Sequence, residues 1–111
     1  MTVWKRNRGD TNDSIIVQLD GVEDLDAALD VKGICWHPND WPDPEDDPIV
    51  TPVEFTGAVL DSANRLVEIP LGTWIDDCRI AKYRYRTRVT FTGPVTKSWP
   101  EGIPDTLEIN L

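Results

Sequence analysis

The sequence predicts an all-β protein, an antiparallel β-sandwich of about seven short strands that takes residues 1–111 as one domain. Three observations carry this. Ala81–Phe91 alternates without a break: Tyr83, Tyr85, Thr87, Val89 and Phe91 share one parity, and Lys82, Arg84, Arg86, Arg88 and Thr90 the other. A period of two over that length is a strand with one face on a core, and Tyr, Val, Thr and Phe suit a pleated, half-buried surface. Further short apolar runs recur between Gly, Pro, Asn and Asp turn signals, with no long helical pattern among them.

The elements follow in order. Residues 1–5 form a short first strand or an arm, and Gly9, Asn7 and Asn12 mark a turn. In 14–19, Ile15, Val17 and Leu19 share a face, and Asp20-Gly21 closes that strand. The acidic stretch 22–30 reads either as one helical turn or as a loop anchored by Leu25. In 31–37 both faces are apolar, Ile34 and Trp36 on one and Val31, Gly33 and Cys35 on the other, which predicts a central strand.

Residues 38–52 differ in kind. Pro38, Pro42, Pro44, Pro48 and Pro52 interrupt the stretch, and Asp40, Asp43, Glu45, Asp46 and Asp47 charge it. Proline removes backbone donors and fixes φ, so the reading is a long, exposed, acidic loop. Trp41 in its middle either folds back on the core or meets a partner.

Beyond the loop, 53–60 and 66–71 read as the two arms of a hairpin. Asn64 suits the left-handed position at its tip, and Val67, Ile69 and Leu71 point inward. Pro70 places an end or an edge there. Residues 72–77, with Trp74 and Ile75, form a helical turn that plugs one end of the core. After Ala81–Phe91, Gly93-Pro94 turns the chain into 95–99, residues 100–104 make another turn, and 106–111 alternates as the last strand.

Composition excludes several functions. Twenty acidic residues against 11 basic ones give a net charge of −9, so a phosphate backbone would be repelled and nucleic-acid binding is not expected. No run approaches the ~20 apolar residues of a membrane-spanning helix, so no membrane partner is expected. The start, Met1-Thr2-Val3-Trp4-Lys5-Arg6, is too poor in apolar residues for a secretory segment, and Cys35 and Cys78 are expected as free buried thiols.

The order of short motifs carries a resemblance. Arg8-Gly9-Asp10-Thr11 precedes the first long strand, and Asp61, Ala63 and Arg65 sit at a hairpin tip. Then come the Tyr83–Phe91 strand, Trp99-Pro100 and a closing Asp105-Thr106-Leu107. In these the chain resembles the small immunoglobulin-like N-terminal domain of upper baseplate proteins of tailed bacteriophages, and its single-domain relatives in phages of actinobacteria. The resemblance spans nearly the whole chain. It implies an immunoglobulin-like sandwich made in the bacterial host cytoplasm and carried in the virion. It departs at the loop from Asn39 to Pro52, which is longer and more acidic than the pattern, and in the absence of the further domains of the larger baseplate proteins.

The chemistry is sparse. His37 is the one histidine and shares a parity with Cys35, about 7 Å apart along a strand, without an orienting third group. No catalytic residue, cofactor or metal is expected. Asp40 and Asp43–Asp47 offer hard oxygen ligands but lack the glycine and distal glutamate of a calcium loop, so a solvated acidic loop is expected. Arg8-Gly9-Asp10 matches the tripeptide that integrins read, but its glycine and aspartate serve a turn.

The candidate interaction residues are the stripe Lys82, Arg84, Arg86 and Arg88, and three of the five tryptophans, Trp4, Trp41 and Trp99, which lie near ends or loops. Trp36 and Trp74 are the better core candidates. The stripe is either a solvated, gatekeeping face, or pairs with the chain's own acidic loops, or receives a neighbouring subunit. The expected role is a non-enzymatic accessory subunit of a phage tail or baseplate, a minor tail protein docking on other virion proteins or on its own copies. The alternatives are a capsid decoration protein on the major capsid lattice and a carbohydrate-binding module stacking sugars on Trp41 and Trp99.

Overall fold

The structure, a computed structural model, describes every residue except Met1, Thr11, Asn12, Glu23, Pro44, Asp47, Ile49, Val50 and Pro94. Nine strands form among the described residues: β1 (Val3–Asn7), β2 (Ser14–Gln18), β3 (Ala28–Trp36), β4 (Val53–Thr56), β5 (Ala58–Asp61), β6 (Leu66–Pro70), β7 (Ala81–Phe91), β8 (Val95–Trp99) and β9 (Asp105–Asn110). A 3-10 turn (Leu25–Ala27) precedes β3, and one short helix, α1 (Trp74–Asp77), precedes β7.

The larger sheet runs β1-β9-β7-β3-β4, with β8 also on β7; the smaller runs β2-β6-β5. All pairs are antiparallel except β1 with β9, which is parallel. The fold is an all-β sandwich. Of the two readings of residues 1–5 the strand is the one that forms, at Val3–Asn7, and the single strand expected over 53–60 is split into two.

That splitting is the main correction to the hairpin reading. β4 pairs with β3 in one sheet, whereas β5 pairs with β6 in the other. The chain changes sheets at Gly57, whose amide donates to Val31 O at 2.8 Å. A methyl on Gly57 would overlap the Ile69 Cδ1 methyl and lie 2.9 Å from the Glu68 carbonyl oxygen. Closeness to both sheets is what requires glycine here. At the hairpin tip, Arg65 takes the left-handed position (φ 60°), not Asn64. Asn64 instead bonds the Asp61 carboxylate from its side chain at 2.6 Å.

Residues 100–104 do not reverse the chain, contrary to the turn reading. β9 pairs with Ala81–Tyr85 and β8 with Thr87–Phe91 on the same edge of β7. The two strands are therefore one arm, interrupted by an excursion opposite Arg86.

The parity of β7 is as the alternation implies. Tyr83, Tyr85, Thr87 and Val89 are buried, and Lys82 is exposed. The core lies between the sheets, with Ile15, Val17, Val67 and Ile69 facing Val31, Tyr85, Val89, Leu107 and Ile109. Tyr85 lies over Gly33, where an added methyl would meet its phenol oxygen at 2.8 Å. That phenol shares a 3.0 Å hydrogen bond with the Thr87 hydroxyl, so the fully buried threonine is satisfied. α1 closes one end through buried Ile75, with Trp74 edge-on to Phe55 and Tyr83. β3 is central, between β7 and β4.

Candidate functional site

The outer face of the large sheet carries the predicted stripe, and Trp41 and Pro42 of the proline-rich loop lie against it. Ile34, Trp36 and Trp41 form a second apolar cluster there, separate from the sandwich core. Trp41 is 2% exposed, so its reading as an exposed interaction residue is corrected. Its ring stands edge-on to Trp36 at 4.7 Å, and its indole N–H donates to Asp46 O at 2.6 Å. The apolar outer face of β3 supplies the surface, and the loop supplies the lid.

The cations hold that loop. Arg84 donates from Nε to Trp41 O at 3.1 Å and from NH2 to Pro42 O at 3.2 Å. The Arg86 guanidinium sits over the Trp41 ring at 4.9 Å and donates to Gly102 O in the excursion. Arg88 bonds Glu54 on β4 at 2.8 Å. Lys82 lies outermost, 3.8 Å from Glu108. Of the three readings of the stripe, the structure favours attachment within the chain, yet through loop carbonyls more than through carboxylates. Backbone carbonyls freed by proline-rich loop geometry need donors, and arginine provides several at once.

Asp43 is a turn residue: its carboxylate accepts from the Glu45 amide at 3.0 Å and its carbonyl from the Asp46 amide at 3.0 Å. The full Asp43–Asp47 cluster includes Pro44 and Asp47, which lie outside the described residues. No three His, Cys, Asp or Glu side chains gather to hold a metal ion among the described residues. Arg8-Gly9-Asp10 is a tied-down turn, with Gly9 at φ 89° and the amides of Arg8 and Gly9 donating to Asn110 O and Ile75 O. Thr11 of that motif lies outside the described residues.

The remaining two tryptophans close a seam. Asp13 O accepts from Leu71 N, and Leu19 N donates to Arg65 O, so the odd-numbered residues around β2 face β6. The even-numbered ones therefore turn their backbone groups to the free edge. There Arg6 donates to Ser14 O at 3.1–3.2 Å, the Trp4 indole to Ile16 O at 3.2 Å, and the Trp99 indole to Asp20 O at 3.0 Å. Trp4 also meets Tyr85 edge-on at 5.2 Å and Trp99 meets Phe91 at 6.5 Å. Both are half-buried. Sequence reasoning missed Arg6 and the capping role of the indoles, because the carbonyls they meet become neighbours only in the fold.

Cys35, Cys78 and His37 line one cavity of about 290 Å³ at the α1 end, beside Tyr83. Both thiols are free and buried. Burial first, and then the neighbouring Cys78, holds the Cys35 thiol far above its ordinary pKa; burial also raises Cys78. A nucleophile needs the thiolate, which both settings disfavour. The His37 ring is occupied as well, its Nδ1 accepting from the Asn39 amide at 3.1 Å and its face meeting Tyr83 edge-on.

Among the described residues no helix is long and apolar enough to cross a membrane. Comparison of the chain with protein-family models, with curated proteins and with solved structures found no match.

Proposed function

We propose that this chain is a non-enzymatic structural subunit of a tailed-bacteriophage virion, an immunoglobulin-like accessory subunit of the tail or baseplate that docks on neighbouring virion proteins. The order of its short motifs supports the reading, as does the disposition of its surface. The observation that carries it is the contrast between pinned and open groups. Arg84, Arg86, Arg88, Trp4, Trp41 and Trp99 hold the chain's own loops and edges. By contrast β4 and β5 stand at sheet edges, and Leu29, Leu60, Val95 and Ile103 are exposed at 67%, 51%, 47% and 56%. Strand edges and exposed aliphatic side chains are what a subunit docked in a symmetric particle uses.

Attachment to the head lattice as a decoration protein uses the same surfaces and is the second reading. The carbohydrate-binding alternative loses one of its two stacking platforms, because Trp41 is buried. The test is sedimentation of purified particles with antibody detection of the chain. Fixed stoichiometry with the major virion proteins is expected, and a chain found only in the soluble lysate would refute the reading.

A further inference from the structure

The row of caps along β2 has one gap. Of the even-numbered edge positions, Ser14, Ile16 and Asp20 have their carbonyls bonded by Arg6, Trp4 and Trp99. Gln18 does not; among the described residues its main chain has no such cap, and its side chain turns away to Asn64 O at 3.3 Å. By the alternation that points Ser14, Ile16 and Asp20 outward, the Gln18 N–H and C=O point outward too.

The gap is also a groove. A cavity of about 650 Å³ opens there, walled by Val17, Trp99, Pro100 and Ile103 and flanked by Asp20 and Asp105. Its apolar wall includes an isoleucine 56% exposed. Asp105 already accepts from the Thr2 amide at 2.9 Å through one oxygen, which leaves the second oxygen to another donor. An unpaired strand edge, an apolar wall and two carboxylates occur together at one place.

We propose that this groove receives an extended peptide segment of a neighbouring virion protein other than a second copy of this chain, carrying a Lys or Arg beside an apolar residue. The segment's backbone pairs with Gln18 on the β2 edge, its apolar side chain covers Ile103 and Trp99, and its cation lies between Asp20 and Asp105. Main-chain bonds to an edge give such a site its affinity, and side-chain pockets its specificity. The charge of the occupant follows from the carboxylates and from the net charge of −9. The inference rests on the docking role proposed above and names its site and partner chemistry.

The test is a titration of the purified, isotope-labelled protein with a capped peptide, Thr-Val-Lys-Val-Thr, followed by amide and indole NMR shifts. The expected result is saturable movement of the Gln18 and Asp20 amides and of the Trp99 indole. Binding should weaken roughly tenfold when a peptide backbone nitrogen is methylated, when Glu replaces the Lys, or when the protein carries Asp20→Lys. Asp20→Lys should melt like wild type, because Asp20 caps Trp99 through its carbonyl, not its carboxylate.

Equal binding of the three peptides, no movement at these positions up to about 5 mM peptide, or displacement of the peptide by a hexasaccharide at Trp99 would overturn the proposal. So would self-association of the protein through this groove. Any of these leaves the virion reading standing, since that reading is decided by whether the chain is found in purified particles.

Discussion

Gly57→Ala is the sharpest test of the way the two sheets are joined. The added methyl would overlap Ile69 Cδ1, stand 2.9 Å from Glu68 O and 3.1 Å from Val31 Cγ1. Favourable carbon contacts sit near 3.5–4.0 Å. The isoleucine tip can rotate away, but the Glu68 carbonyl belongs to β6 and moves only with the strand. Overpacking of this kind costs about 1–3 kcal/mol. In a domain of this size that corresponds to a fall in Tm of roughly 5–20 °C.

Urea unfolding with matched m-values measures the loss directly. Ile69→Val, which alone costs about 0.5–1.5 kcal/mol, removes the yielding half of the clash but not the carbonyl. The double variant should therefore be less destabilised than the sum of the single ones, and still less stable than Ile69→Val. If Gly57→Ala unfolds within about 0.3 kcal/mol of wild type, the sheets do not approach each other at residue 57 and the strand switch is misplaced.

Val89→Asp should abolish folding, because Val89 is fully buried and an unpaired charge there costs several kcal/mol; a cooperative melt in this variant would reverse the faces of β7. Arg84→Ala should cost about 1.5–3 kcal/mol, the range for hydrogen bonds to charged groups, and should increase protease cutting within 38–52 before the sandwich unfolds. Unchanged cutting would mean the loop is held by other groups. Burial raises the phenol of Tyr83 to about 12 and lifts Cys35 and Tyr85 above their ordinary values as well. A raised pKa favours the neutral form in the folded state, so stability is complete below the ordinary values of 9.0 and 10.0 and is lost as pH rises from there through 12. Melts in a reducing buffer should be level near neutral pH and fall above it; tyrosines that ionise normally in the folded protein would contradict this. The two thiols should react with a disulfide reagent only after unfolding, and fast labelling of Cys35 in the native protein would place it outside the core.

Much of the fold was legible where one residue's neighbours along the chain decide its environment. The alternation of β7 assigned every face of that strand, and the two apolar faces of 31–37 indicated a central strand. The Ile34 and Trp36 face turned out to be covered by Trp41 and not by the other sheet. The strand switch was not legible, because Gly57 looks like any glycine within an apolar run; its necessity comes from Ile69 and Val31, distant in sequence. Residues 100–104 have the composition of a turn, and Pro and Gly serve a sideways excursion equally well. The parallel partnership of β1 with β9 joins the two ends of the chain, which no local pattern records.

The candidate site was legible in its residue types and not in their targets. The stripe was visible as a row of cations, but its partners are mostly loop carbonyls, which every sequence has and which become acceptors only once the proline-rich loop is laid over the sheet. The same holds for Trp4 and Trp99, whose indole donors complete the edge of β2. Exposed-looking tryptophans in loops thus became structural caps, and the opening they leave at Gln18 could be found only from the registers.

The central claim is that this chain is a docked subunit of a phage particle, and an electron-microscopy map of the purified particle tests it most directly. The account predicts density for the two-sheet sandwich repeated on the tail or baseplate, with strand edges and exposed aliphatic side chains against neighbouring subunits and Trp41 folded on its own sheet. A map in which every ordered density is assigned to other proteins, with the chain absent from the particle by mass spectrometry, would contradict it.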